Sequence, residues 1–172
     1  MLAFNPTLAK QVVLFGMNRP VIPISEAAKL AGVSVDTVRN FRKHGIIKLR
    51  FMKSEGYGVP VLFSFHDVIE IMAASELYHL NVAPKGLGSL SEEIATFTIY
   101  QIQEVAGIFG SSPTPENFQR YIVIFYNERI QEIEASIESD PAQSLDMHTT
   151  KIVVDCRKLA IKAVYAFVNY KQ

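Results

Sequence analysis

Between Ser25 and Gly45 the chain reads SEAAKLAGVSVDTVRNFRKHG, which leaves room for two short helices and little else. Ser25 precedes EAAKLA, a run of good helix formers, and its hydroxyl suits the N-cap position, where unpaired backbone N–H groups need an acceptor. Gly32 follows Ala31 and can take the left-handed conformation that ends a helix. Ser34 then caps VDTVRNFRKH, which stops at Gly45. The two predicted helices are joined by the three-residue turn Gly32-Val33-Ser34, the signature of a helix-turn-helix. Ala27, Ala28, Leu30 and Ala31 on the first helix, with Val38 and Phe41 on the second, are the expected joint core, plugged by Val33. That leaves Asp36, Thr37, Arg39, Asn40, Arg42 and Lys43 facing outward.

The period changes after Gly45. Ile46, Ile47, Leu49 and Phe51 precede the turn-prone Lys53-Ser54-Glu55-Gly56, and Val59, Val61 and Phe63 follow it. Short β-prone runs around a glycine-bearing turn predict a hairpin, with Pro60 restricting one arm to an edge or bulge. Ser64 and Asp67 have capping-box spacing, and the apolar period of Val68, Ile69, Met72 and Leu77 predicts a helix behind them. A leading helix after Pro6, with Leu8, Val12 and Phe15 on one face, closes at Gly16. Residues 1–82 are thus expected to form a winged helix-turn-helix with a leading helix.

Residues 83–172 are expected to form a smaller mixed, mostly helical domain, so the fold class is α+β. Pro84, Gly86 and Gly88 read as a break. Ser89 and Glu92 form a capping box for a helix to about Phe109, with Ile94, Phe97, Ile102, Val105 and Ile108 as its core face. Ser111–Pro115 reads as a linker. Tyr121–Tyr126 is crowded with β-formers. The following RIQEIEASIE suits either a hairpin partner or a helix, and the hairpin is favoured. KIVVD reads as a third strand and LAIKAVYAFVNY as a closing helix.

Net charge is zero, yet residues 1–85 carry ten basic and six acidic side chains, and residues 86–172 carry seven and eleven. Between Asp36 and Glu55 lie Arg39, Arg42, Lys43, Lys48, Arg50 and Lys53 with no acid. A summed charge hides such a patch, and the patch is what a polyanion feels. No apolar run approaches the ~18 residues needed to span a membrane, and MLAFNPTLAK lacks the layout of a signal peptide. The single cysteine, Cys156, allows no intrachain disulfide, which makes a reducing cytoplasm the expected compartment. His44, His66, His79 and His148 lack metal-ligand spacing. No phosphate loop and no nucleophile with a base and an orienting group is present, so neither an enzyme nor a cofactor is expected.

VIPISEAAKLAGVSVDTVRNFRKHGII resembles the opening of the MerR-type DNA-binding domain, and FSFHDVIEIMAASEL resembles the segment after its wing. The resemblance covers roughly residues 22–80. Its most specific parts are GVSVDTVR, Gly45-Ile46, Gly56-Tyr57 and Phe63-Ser64 leading to Asp67. The chain departs from the family in having Asn40 and Phe41 where two tyrosines are usual, Arg42 where an acid is usual, and about three more residues between Gly56 and Phe63. The long antiparallel coiled coil frequent in that family has no matching heptad here.

The resemblance implies a sequence-specific transcription regulator with its recognition helix in the major groove of double-stranded DNA. Thr37, Arg39 and Asn40 suit base edges or nearby phosphates, and Ser34 lies at a helix N-terminus that favours a phosphate. Arg42, Lys43, Lys48, Arg50, Lys53 and Tyr57 would grip the backbone and the wing's groove. A second reading is an excisionase or a phage-packaging DNA-recognition subunit that docks a partner enzyme. A third is a protein-interaction adaptor that never touches DNA. A homodimer is expected, held by Ser89–Phe109 or Leu159–Tyr170, because paired half-sites raise specificity.

Overall fold

The computed structural model of the protein describes residues 5–49, 60–82, 84–108, 121–127, 132–138 and 151–171. Within them the fold is α+β and mostly helical. Its order is α1 (Pro6–Phe15), β1 (Ile22–Pro23), α2 (Ile24–Ala31), α3 (Val35–Lys43), β2 (Leu62–Phe63), α4 (Phe65–His79), α5 (Pro84–Val105), β3 (Tyr121–Asn127), β4 (Glu132–Glu138), β5 (Lys151–Asp155) and α6 (Cys156–Lys171).

Local signals set most of the helix ends. Asn5 caps α1 by accepting from the Thr7 and Leu8 amides, and Gly16 closes it at φ +95°. Gly32 ends α2 in the left-handed region at φ +73°, where a Cβ would strain the backbone. Ser64 and Asp67 form a reciprocal capping box at the start of α4. Ser25 is not the cap of α2. That helix begins one residue earlier at Ile24, behind an extended Pro23, with no side-chain cap.

The expected wing hairpin is only partly within the described residues. Ile46–Leu49, the described part of its first arm, has no strand, and Leu62–Phe63 of its second arm pairs antiparallel with Ile22–Pro23. The pairing ties the entrance of α2 to the entrance of α4, and Val21 N–H extends it by donating to the Phe63 carbonyl at 3.1 Å. Residues 50–59, which carry the expected turn, lie outside the described residues, as does the expected linker at Ser111–Pro115.

Pro84, Gly86 and Gly88 are not a break. Helix α5 runs through both glycines from Pro84, and Ser89 is no cap; its hydroxyl donates to the Gly86 carbonyl at 3.3 Å. The reason for Gly88 is tertiary. A Cβ there would meet the carbonyl oxygens of Gly45 and Ile46 at 3.3 and 3.4 Å, so α5 packs backbone to backbone on the exit of α3. Helix α5 ends at Val105, and Ile108 is half exposed beyond it.

The second sheet has the order β4-β3-β5, antiparallel throughout, with Ile122 opposite Ile137 and Val154, and Ile124 opposite Ala135 and Ile152. Residues 132–138 are therefore strand, as the hairpin reading expected. The sheet face carrying Ile122, Ile124 and Val154 joins a buried cluster that also includes Val12, Val38, Ile69, Ile94 and Val164. Phe167 of α6 is a seam in that cluster, with its ring 5.1 Å from Phe15 and 4.7 Å from Phe65. Residues on both sides of position 82 therefore contribute to one core. Helices α5 and α6 both contribute buried side chains to it, among them Leu87, Ile94, Ile102, Leu159, Val164 and Phe167. Among the described residues no helix is long and apolar enough to cross a membrane.

Candidate functional site

Helix α3 is anchored through one buried face and leaves the rest of its surface open. Ser34 Oγ accepts from the Thr37 amide at 3.0 Å and shares a 2.8 Å hydrogen bond with the Thr37 hydroxyl. Val38 and Phe41 are buried against the neighbouring helices. At the far end the chain leaves α3 through His44 and Gly45, the latter at φ +67°, and the Ile46 amide donates to the Phe41 carbonyl at 2.8 Å. Arg42 and Lys43 fall in the last turn, where cations offset the negative end of the helix dipole.

Successive helical residues advance about 100°, and this divides the remaining side chains of α3 into two flanks. Arg39, Arg42 and Lys43 turn to one side. With Lys48 and Leu49 beyond the exit turn they line an open groove of about 560 Å³, floored by the buried Ile47. Thr37, Asn40 and His44 turn to the other side and line a separate cleft with Tyr78 of α4. Asp36 is exposed, and it pairs with Arg39 Nη1 at 3.0 Å.

The site residues expected from the sequence are therefore only partly gathered. Arg39, Arg42, Lys43 and Lys48 share one groove, while Thr37 and Asn40 line the neighbouring cleft. Thr37 and Arg42 are half-buried rather than fully outward. The hydroxyl of Ser34 is committed to capping, so any anion there would meet backbone N–H groups first. Arg50, Lys53 and Tyr57 lie outside the described residues. Tyr78 was missed by the sequence reading because it sits on α4, more than thirty residues from α3; its solvent exposure on an apolar-periodic helix is visible only in three dimensions.

Elsewhere the chemistry is quiet. Cys156 opens α6 fully buried, and burial pushes its thiol from 9.0 up to about 12; a backbone hydrogen bond at Ile122 and the Thr98 side chain pull the other way, and the Asp155 charge adds to the rise. It is a thiol, not a thiolate, at neutral pH, which makes it a poor nucleophile or metal ligand. Among the described residues no three His, Cys, Asp or Glu side chains come together as metal ligands. No protein-family model matches the chain, and no curated protein matches it.

Proposed function

We propose that the protein is a sequence-specific DNA-binding regulator of transcription, with α2, the turn Gly32-Val33-Ser34 and α3 as a helix-turn-helix and α3 as the element that enters the major groove. The observation that carries this reading is the basic groove along the exit of α3, where Arg39, Arg42, Lys43 and Lys48 are gathered beside a helix whose outer face is polar. Cations in such a groove neutralise phosphates and set register, while a side chain such as Arg39 or Asn40 reads base edges. The resemblance of residues 22–80 to the MerR-type domain points the same way. Pairing of two copies across a two-fold operator is part of the proposal.

The test is an anisotropy titration of the full chain on genomic fragments selected by pull-down. If each of the four groove cations meets a phosphate, log affinity falls against log salt with a slope of roughly −3 to −4. A flat salt response would sink the DNA reading and leave the interaction adaptor in its place. A palindromic consensus near promoters supports a regulator, whereas clustered repeats at one phage-like locus support an excisionase or packaging subunit. Sedimentation of the full chain at micromolar concentration tests the pairing.

A further inference from the structure

The second flank of α3 borders a cleft of about 580 Å³, within the ~300–1,000 Å³ range of small-ligand sites. Its inner lining is apolar, with Phe41, Ile46 and Leu87 all buried. Its outer lining is polar: the Thr37 hydroxyl, the Asn40 carboxamide, the His44 imidazole and Tyr78, with no Asp, Glu, Lys or Arg among the described residues that line it. Tyr78 is 58% exposed, and its ring stands edge-on to Phe41 at 6.4 Å between centroids. Its ring also stands at a steep angle to that of His79, 6.2 Å between centroids, and more than half of the side chain stays in solvent beside the cleft, where a flat ligand could meet it.

This combination selects a ligand. An aromatic face asks for a flat ring, because offset or edge-on ring pairs are favourable beyond the area they bury. A carboxamide presents a donor and an acceptor side by side, the pattern with which Asn recognises an adenine edge. The lack of any carboxylate, Lys or Arg among the described lining residues favours a neutral ligand over an ionised one, whose desolvation needs a paired charge. We propose that this cleft is a binding site for a nucleobase, stacked on Tyr78 and read at its edge by Asn40, with Thr37 and His44 as further hydrogen-bonding partners. The base has two sources, a free nucleoside or an unstacked base of a nucleic-acid strand. The site stands on its own lining. Its consequence for DNA binding rests on the reading of α3 as the recognition helix, since a nucleoside bound to Thr37 and Asn40 occupies one flank of that helix.

The experiment is calorimetric titration of the full chain with adenosine, guanosine, cytidine and thymidine, alongside oligonucleotide duplexes with and without one unpaired base. For a free ligand, at least one nucleoside binds with little dependence on salt, and Tyr78→Ala and Asn40→Ala each weaken it by about tenfold or more, as expected for the loss of one stacking or one base-edge contact. Tyr78→Phe, which keeps the ring, retains most of the affinity and guards against a folding artefact. For a strand-borne base, nucleosides fail but the duplex with an unpaired base outbinds the intact one, and Tyr78→Ala removes that advantage. If neither nucleosides nor the unpaired base distinguishes Tyr78→Ala from the parent, the site is wrong. Loss of the salt-dependent duplex affinity in Arg42→Ala or Lys43→Ala tests the basic groove separately, so the two readings fail by different measurements.

Discussion

Asp36 is one helical turn before Arg39, and the two exposed side chains meet at 3.0 Å. A surface pair of this kind contributes at most about 1 kcal/mol to stability, so its interest is functional. The carboxylate holds the guanidinium in place and also sets a negative charge on the face proposed to meet DNA. Asp36→Asn is expected to tighten binding to any duplex and to flatten discrimination between sequences. Arg39→Ala is expected to cost about 1–3 kcal/mol on the specific site and less on random DNA. Parallel anisotropy titrations of both variants on both DNAs check this, and equal losses on the two would show that Arg39 does not read sequence. At the same scale, Cys156 makes stability depend on alkaline pH. Its native thiol titrates near 12 against 9.0 when exposed, so between those values the unfolded chain has lost a proton that the folded chain keeps. Stability contributed by the buried thiol is whole below about pH 9 and falls as pH rises, by up to about 1.4 kcal/mol per pH unit within the window. Urea denaturation at successive pH values should show a steeper decline for the parent than for Cys156→Ala, and identical slopes would refute it.

Elements were legible in the sequence where their causes are local. The caps at Ser34 and Ser64, the stop at Gly32 and the β-formers of Tyr121–Tyr126 act within a few residues, and the structure has each where the pattern put it. Causes that act across the chain were not legible. Leu62–Phe63 pairs with Ile22–Pro23, some forty residues earlier, and Gly88 looked like a helix breaker because what it accommodates, the backbone at Gly45 and Ile46, is distant in sequence. The basic side of the site follows from a run of cations, while the cleft needs Tyr78 from another helix. Gly88 gives the sharpest test at this scale. A Cβ there already presses on two backbone carbonyl oxygens at 3.3 and 3.4 Å, so the bulkier valine forces the two backbones apart, and overpacking typically costs about 1–3 kcal/mol. Gly88→Val should lower the melting temperature followed by circular dichroism and loosen the seat of α3, weakening DNA binding in proportion. An unchanged melting temperature would mean that α5 does not rest on that turn as described.

In the whole molecule, one buried cluster runs from Ala9 in α1 to Phe167 in α6. Helix α4, in which Phe65, Ile69, Ile71, Met72 and Leu77 are all buried, packs on α5 and α6 as well as on α2. A fragment ending at Val82 therefore keeps the segment proposed to face DNA but exposes much of the surface that folding hides. Such a fragment is expected to lack a cooperative urea transition and to bind a hydrophobic dye, and a sharp two-state transition in it would show that the first 82 residues are self-sufficient.

The ring of Phe167, wedged between Phe15 and Phe65, also has a consequence for protein engineers. DNA-reading heads are often treated as cassettes, cut from one regulator and spliced to another's sensor. In this chain the segment proposed to read DNA is bolted to the rest by a side chain five residues from the end of the sequence. A chimera that takes residues 5–79 alone inherits an empty socket between α1 and α4. To transplant the specificity, the donor segment must carry α5 and α6 with it, or the recipient must supply an aromatic ring at the same place.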